Sequence, residues 1–271
     1  MYRAQKLPSG LLDLQRVDEA MINQMRFLST VSYAAVIIVS LALSGCAGIS
    51  GQTPYSKPNN GATQRELAVD NNEDAALLRY LKTAAEQGDV DAQFDLGVIY
   101  YDGRGVAQDY AEAARWYRLA AEQGDAEAQY VLGFMYRKGR GVAQDYSKSA
   151  YWYTLAAEQG IPIAQFTLGQ MYRRGDGVPQ DFSEAAMWYG RSASQGYDRA
   201  QYNLGIMYYM GSGVPRDLQL AYMWFNLAAA QGHNDARHNR KIVAELMTQQ
   251  QITDAQKLAR QCLARDYQNC D

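Results

Sequence analysis

Residues 84–119 read AAEQGDVDAQFDLGVIYYDGRGVAQDYAEAARWYRL, and residues 120–155 read AAEQGDAEAQYVLGFMYRKGRGVAQDYSKSAYWYTL. Two further blocks of the same length follow without a gap, at 156–191 and 192–227. Thirteen of the 36 columns are identical in all four blocks, which is far beyond coincidence. A fixed period of this size is typical of a solenoid, in which one structural unit is stacked on itself several times.

Each block contains two helical patterns separated by a glycine turn. In the first pattern Ala92, Leu96 and Tyr100 recur at helical spacing and predict a helix over Val90–Asp102. The turn at 103–106 contains two glycines, a residue that adopts positive φ without steric cost.

The second helical pattern begins after an aspartate that recurs in every block. Asp109 suits an N-cap, with Glu112 three residues later, and Gly124 fits the position just beyond the helix end. The equivalent aspartates are Asp145, Asp181 and Asp217. The apolar spacing predicts these inward-facing residues: Ala113, Trp116, Tyr117, Ala120 and Ala121.

These columns resemble a known family. The pattern A-Q-x-x-L-G-x-x-Y-x-x-G-x-G-V-x-x-D, followed by A-x-x-W-Y-x-x-A-A-x-Q-G, is similar to the Sel1-like repeat, a 36-residue relative of the tetratricopeptide repeat. The resemblance implies an all-α fold, a right-handed α-solenoid of helix-turn-helix repeats. It places an N-terminal half-repeat at 73–88 and full repeats at 89–124, 125–160, 161–196 and 197–232.

Beyond Gly232 the repeat pattern decays, and residues 233–271 are predicted to form a helical cap over the end of the solenoid. Thr248 and Gln251 fit a capping box for a last helix over Gln249–Ala264. The pattern predicts that this helix directs four residues inward, namely Ile252, Ala255, Leu258 and Leu263.

The N-terminal part contains an uncharged apolar run, Phe27–Leu43, followed directly by Ser44-Gly45-Cys46. A membrane-spanning helix needs about 20 predominantly apolar residues, whereas this run is short and interrupted by serines. Arg26 and the apolar core at 31–43 fit a signal peptide better. Leu43–Cys46 resembles the bacterial lipobox, so we expect a lipoprotein signal peptide at 25–45 and a lipid on Cys46. An ordinary secretory cleavage site is the alternative.

Three further expectations concern the residues around this signal peptide. Residues 1–24 carry mixed charges unlike the basic start of a signal peptide, so we expect an upstream extension that is not translated, or is disordered, with the start codon at Met1, Met21 or Met25. Residues 46–72 are rich in Gly, Ser, Pro and Asn and predict a flexible linker. Ala47 after the lipidated cysteine implies sorting to the outer membrane, facing the periplasm.

Cys262 and Cys270 are the two cysteines outside the signal region. In an exported protein a disulfide between them would tie the C-terminal tail to the last helix. Two free thiols and pairing between chains stay open as alternatives.

The composition argues against several classes of function. The net charge of −3 leaves no basic surplus for nucleic acid. His233 and His238 are the only histidines, and neither has an acidic or cysteine neighbour at metal-ligand spacing. The glycine turns recur without the Lys-Ser or Lys-Thr of a phosphate-binding loop. We therefore expect no catalytic residue, metal or cofactor.

A solenoid of this kind offers a long concave surface, and the first helix of each repeat carries columns that vary while the core columns stay fixed. Their charge changes from acidic in the first repeat to basic and apolar later, which favours a peptide of complementary charge. An ordinary solvated helix face would vary as freely. The predicted partner-binding residues are Asp95, Val98, Tyr101, Asp102, Val131, Phe134, Arg137, Lys138, Thr167, Gln170, Arg173, Arg174, Asn203, Ile206, Tyr209 and Met210.

The sequence therefore predicts a non-catalytic scaffold, a monomer, that is anchored to the membrane by lipid and binds a protein or peptide in the periplasm. The first alternative is an envelope hydrolase or a peptidoglycan-active protein, because some cysteine-rich Sel1-repeat proteins are described as penicillin-binding hydrolases. Those proteins carry a cysteine pair in each repeat, which this chain lacks, and it contains no Ser-x-x-Lys. A secreted factor that engages host or competitor proteins is a third option.

Overall fold

A computed structural model describes residues 64–267 and Cys270, and this part contains eleven α-helices and no strand. It divides into two compact units, with the boundary along the chain between Gln123 and Gly124. The first unit contains α1 (Gln64–Glu86), α2 (Val90–Asp102) and α3 (Tyr110–Glu122). The second contains α4 (Ala126–Lys138), α5 (Tyr146–Glu158), α6 (Pro162–Arg174), α7 (Phe182–Ala193), α8 (Asp198–Met210), α9 (Leu218–Ala230), α10 (Asn234–Ala244) and α11 (Gln249–Ala264). The predicted all-α fold of repeated helix pairs is confirmed.

The first helix of each pair begins and ends where the local sequence predicts. Asp89 caps α2 by accepting a hydrogen bond from the Ala92 N–H at 2.8 Å. At the other end Gly103 has a φ of 74°, and its N–H donates to the Ile99 carbonyl. The left-handed conformation that closes the helix favours glycine, which explains why this column never changes.

The second helix of each pair begins at the recurring aspartate, so the predicted N-caps are confirmed. The Asp109 carboxylate accepts hydrogen bonds from the backbone N–H groups of Ala111 and Glu112. Its equivalents in the later repeats, Asp145, Asp181 and Asp217, cap their helices in the same way. These carboxylates therefore satisfy backbone donors that would otherwise have no partner.

The two helices of a pair approach closely because a glycine of the first faces an aromatic ring of the second. A Cβ on Gly97 would lie 2.6 Å from the Tyr117 ring, and a Cβ on Gly133 would lie 3.1 Å from the Tyr153 ring. The recurring tryptophans fill the space beside this contact, and at most 9% of any of them is exposed. They are Trp116, Trp152, Trp188 and Trp224.

A glutamine pair joins the two helices of each repeat to one another. Gln123 Nε2 donates to Gln93 Oε1 at 2.8 Å and to the Gly88 carbonyl at 3.2 Å. Gln93 Nε2 in turn donates to the Ala85 carbonyl at 3.0 Å. The same glutamine pair recurs between residues 30 apart, at Gln159 and Gln129, Gln195 and Gln165, and Gln231 and Gln201.

The C-terminal cap consists of α10 and α11, and α11 packs against α9. The predicted bounds of α11 and the capping box of Thr248 with Gln251 are confirmed. The prediction that Leu258 and Leu263 face inward is wrong, since 36% and 45% of these side chains are exposed. The buried strip instead runs through three small residues, which let α11 lie close to its neighbours: Ala255, Ala259 and Cys262.

The first described helix corrects the predicted linker. Helix α1 begins at Gln64, so residues 64–72 are helical, although they were expected in the tether. The glycines and prolines of that stretch end at Gly61, and good helix formers follow. The predicted upstream extension, signal peptide and lipidated Cys46 lie outside the described residues. No described helix is both long enough and apolar enough to cross a membrane.

Candidate partner-binding surface

The sixteen predicted partner-binding residues lie on the first helices α2, α4, α6 and α8, but seven of them are buried. The prediction of a continuous solvent-facing stripe is therefore wrong for these side chains, which are Val98, Tyr101, Val131, Phe134, Arg137, Thr167 and Gln170. Within the α4–α11 unit, α6 packs against both α5 and α7, and α8 against both α7 and α9. Because neighbours flank a first helix on two sides, little of its circumference reaches solvent.

The remaining nine residues reach solvent at least in part, and binding by them stays a prediction. Seven are half-buried, whereas Arg174 and Met210 are exposed, the latter with 58% of its surface accessible. The half-buried residues are Asp95, Asp102, Lys138, Arg173, Asn203, Ile206 and Tyr209.

In the α1–α3 unit this surface is acidic. Burial raises the pKa of Asp95 to about 6, and the nearby carboxylates of Asp91 and Asp89 add to the increase. Asp102 forms an ion pair with Arg104 at 2.8 Å. The part of α2 that reaches solvent thus carries carboxylates held close together.

In the α4–α11 unit the last turns of α4 and α6 are basic, and arginines there lie beside buried tyrosines. Burial raises the pKa of Tyr189 to about 12, an increase that the neighbouring Arg173 guanidinium partly opposes. Tyr153 and Arg137 repeat the arrangement one repeat earlier, where burial raises the pKa of Tyr153 and Arg137 opposes the increase. Both tyrosines are therefore neutral at physiological pH, and each can donate or accept a hydrogen bond.

Four buried polar atoms on α6 and α7 form no hydrogen bond of good geometry among the described residues: Gln170 Oε1, Arg173 Nε, Trp188 Nε1 and Tyr189 Oη. The Arg173 side chain nevertheless lies close enough to the Tyr189 hydroxyl to lower its pKa. Gln170 and Arg173 are three residues apart on α6, a spacing that places them on the same side of the helix. Neither Arg173 nor Arg174 forms an ion pair with a carboxylate in the described part of the chain. Since buried polar atoms in proteins are nearly always paired, this cluster has unused capacity for a polar ligand.

His233 has a structural role that sequence reasoning missed. Its Nδ1 accepts a hydrogen bond from the Ala236 N–H at 3.3 Å and so caps α10, and its ring stacks on Tyr202 with 4.5 Å between centroids. Histidine is an unusual N-cap, and no pattern in the sequence indicates it. Within residues 64–267 and Cys270, no three His, Cys, Asp or Glu side chains are grouped as metal ligands would be.

Cys262 and Cys270 are joined by a disulfide. Both cysteines are buried, and they belong to the apolar cluster that also contains Met223 and Trp224 of α9. The disulfide thus joins α11 to the segment that follows it.

Comparison with known proteins agrees with the observed repeats. The model of the Sel1 repeat family matches residues 78–89, 90–125, 126–161, 162–197 and 198–233. A protective antigen of uropathogenic Escherichia coli strains, which displays an SLR fold, is 36% identical over 71% of this chain with a TM-score of 0.62. A Sel1 repeat protein from Oxalobacter formigenes is 34% identical over 67% of this chain and 74% of its own, with a TM-score of 0.59.

This chain spans 42% of the length of the Escherichia coli antigen. No curated protein sequence matches it. Proteins built from these repeats generally serve as scaffolds for protein interactions. The matched repeats cover more than half of the sequence, and the chain belongs to the Sel1 repeat family.

Proposed function

We propose that this protein is a non-catalytic adaptor that binds an acidic segment of a partner protein through α6 and α7 of the α4–α11 unit. The observation that carries this proposal is the pair of donors at Arg173 and Tyr189, which have no carboxylate partner among the described residues. Arg174 adds a second positive charge beside them.

A carboxylate suits this group chemically. It accepts hydrogen bonds, and a guanidinium pairs with it in a charge-assisted and often bidentate manner. The Tyr189 hydroxyl can supply a further donor where solvent competes weakly, whereas Gln170 Oε1 is an acceptor that suits a backbone N–H of the bound peptide. A peptide that carries Asp or Glu would therefore bind here more strongly than a neutral one.

The test is a crosslinked pull-down from cell envelopes with the wild-type protein and two charge-reversal variants. Arg173→Glu places a negative charge in the proposed site, whereas Arg260→Glu makes the same change at an exposed position on α11. We expect wild type and Arg260→Glu to recover the same partner and Arg173→Glu to lose it, with all three folded by circular dichroism. Equal recovery by Arg173→Glu would contradict the proposal.

We further propose that the adaptor is held by a lipid on Cys46 at the periplasmic face of the outer membrane. The support is the lipobox-like sequence Leu43-Ser44-Gly45-Cys46, followed by Ala47. Metabolic labelling with radioactive palmitate should mark the wild-type protein and not the Cys46→Ala variant. Labelling that persists in Cys46→Ala would remove the anchor from the proposal, and fractionation of outer and inner membranes tests the location.

A further inference from the structure

A cavity of about 490 Å³ lies on α1 and the turn that follows it, in the α1–α3 unit. Its lining residues are Tyr80, Thr83, Ala84, Gln87, Gly88 and Asp89. Helix α1 belongs to the first repeat, of which only residues 78–89 match the family model. Each repeat that follows matches the model over 36 residues. The cavity therefore lies where the first repeat is incomplete.

In the complete repeats the residues equivalent to this lining are covered. The column of Ala84 is fully buried further along the chain, at Ala120, Ala156, Ser192 and Ala228, whereas Ala84 itself is partly exposed. The column of Tyr80 holds the four tryptophans, which are nearly buried, while 65% of Tyr80 is exposed. The surface of the cavity is thus equivalent to a surface that is buried in each complete repeat.

The first helix of the same repeat covers this surface in the complete repeats. Each second-helix glutamine donates to a first-helix glutamine 30 residues earlier, as Gln123 does to Gln93 at 2.8 Å. In the third repeat Ser192 Oγ donates to the Pro162 carbonyl at the start of α6, again 30 residues earlier, at 2.7 Å. Gln87 is the equivalent of Gln123, and its side chain forms no hydrogen bond within the described residues.

The sequence directly before α1 does not repeat the first-helix pattern. The positions 36 residues before Ala92, Gln93 and Leu96 hold Ser56, Lys57 and Asn60 instead. Prolines stand at positions 54 and 58 of the same stretch, and α1 begins already at Gln64. In the register of the repeat, the stretch before α1 therefore lacks the alanine, glutamine and leucine with which a first helix covers this surface.

We propose that the α1 cavity is a second docking site, which accepts an amphipathic helix of a partner protein and thereby completes the first repeat. The chemistry of that helix is defined by the helices that fill the equivalent surface within this chain. It presents alanine and glycine for close approach, a leucine for the apolar contact, and a glutamine or other acceptor for the Gln87 amide. This site is separate from the acidic-peptide site on α6 and α7.

The experiment measures binding of a fluorescein-labelled peptide with the α6 sequence, IPIAQFTLGQMYRR (residues 161–174), to the full chain by fluorescence anisotropy. We expect saturable binding that Ala84→Arg weakens at least tenfold, because the longer side chain fills the cavity. Gln87→Ala should weaken it about fivefold, as loss of one hydrogen bond implies. Ala107→Arg, at an exposed turn position in the same unit, should leave binding unchanged.

A second peptide makes the test specific for the helix sequence. Replacing Leu168 of the peptide by Asp puts a charge on its apolar face, and this peptide should not bind. Equal affinity of wild type and Ala84→Arg, or equal affinity of the two peptides, would overturn the proposal. So would dimerisation of the full chain in size-exclusion chromatography that Ala84→Arg abolishes, since the occupant would then be a second copy. Arg173→Glu separates the two sites, because it should leave peptide binding at α1 unchanged.

Discussion

Asp95 illustrates how surroundings change the properties of a single residue. It occupies a column that the sequence assigns to the surface, yet it is half-buried on α2. Burial, Asp91 and Asp89 together raise its pKa from 3.8 to about 6, although Arg104 opposes the increase. Folding therefore favours the protonated carboxyl, and the ionised form weakens the α1–α3 unit.

The sign of the resulting pH dependence can be tested with Asp95→Asn. The pKa of Asp95 is higher in the folded than in the unfolded protein. Asp95 therefore contributes fully to the free energy of unfolding below pH 3.8, and this contribution is lost as the pH rises through about 6. We expect Asp95→Asn to be more stable than wild type by about 1 kcal/mol at neutral pH, a value reduced by solvent screening of the half-buried group. The two proteins should be equally stable near pH 4.

Urea unfolding at several pH values measures this difference. The control is Glu158→Gln, which makes the same kind of change at an exposed position. A difference between Asp95→Asn and wild type that does not vary with pH would show that the ionisation of Asp95 is not responsible.

At the scale of the helix, close approach of a glycine to an aromatic ring determines how each pair is packed. A Cβ on Gly169 would lie 2.8 Å from the Tyr189 ring and 3.2 Å from the Ala185 carbonyl. Gly190, which lies on α7 next to Tyr189, would direct a Cβ into open space. The two positions thus separate packing from the intrinsic helix propensity of glycine.

Replacement of these two glycines by alanine should therefore have opposite effects. Gly169→Ala forces the rings and backbone apart and should lower the free energy of unfolding by about 1–3 kcal/mol. Gly190→Ala only removes the conformational freedom that glycine has in the unfolded chain. It should therefore raise the free energy of unfolding by about 0.5–1 kcal/mol. Thermal and urea unfolding followed by circular dichroism check both values. Equal effects of the two changes would contradict the packing role of Gly169.

Helix bounds were predicted well because the signals that set them are local. The caps of α2 and α3 use side chains and glycines within three residues of the helix ends, so a short stretch of sequence contains all of the information. The inward face of α11 was predicted less well. Its apolar spacing allows Leu258 to face inward, but α9 and the disulfide lie against Ala259 and Cys262. Which side of an amphipathic helix is covered depends on its neighbours.

At the scale of the whole molecule, the C-terminal cap changes the exposure of a repeated column. Tyr151 and Met187 are exposed, with 58% and 39% of their surfaces accessible, whereas Met223 in the same column is fully buried. Met223 belongs to the cluster that includes Ala259, Cys262 and Cys270. The cap thus shields the apolar end of the stack, as terminal elements of solenoids do.

Reduction of the disulfide between Cys262 and Cys270 should weaken this cap. The two cysteines are eight residues apart, and closing so short a loop stabilises a fold by about 2–3 kcal/mol through the unfolded chain. We expect a matching loss of unfolding free energy in the presence of a reductant. Cys270→Ser should show the same loss without further sensitivity to the reductant. A midpoint of urea unfolding that reduction leaves unchanged would contradict this role.

The sequence by itself determined the fold class, the repeat period and the ends of most helices, because caps, glycine turns and apolar spacing act within a few residues of one another. Tertiary structure decided which columns reach solvent. It buried seven of the sixteen predicted binding residues, left polar atoms of Gln170, Arg173 and Tyr189 without hydrogen bonds of good geometry, and left Ala84 and Gln87 uncovered at an incomplete repeat. Burial depends on what packs against a residue from distant parts of the chain, and a local pattern carries no information about that.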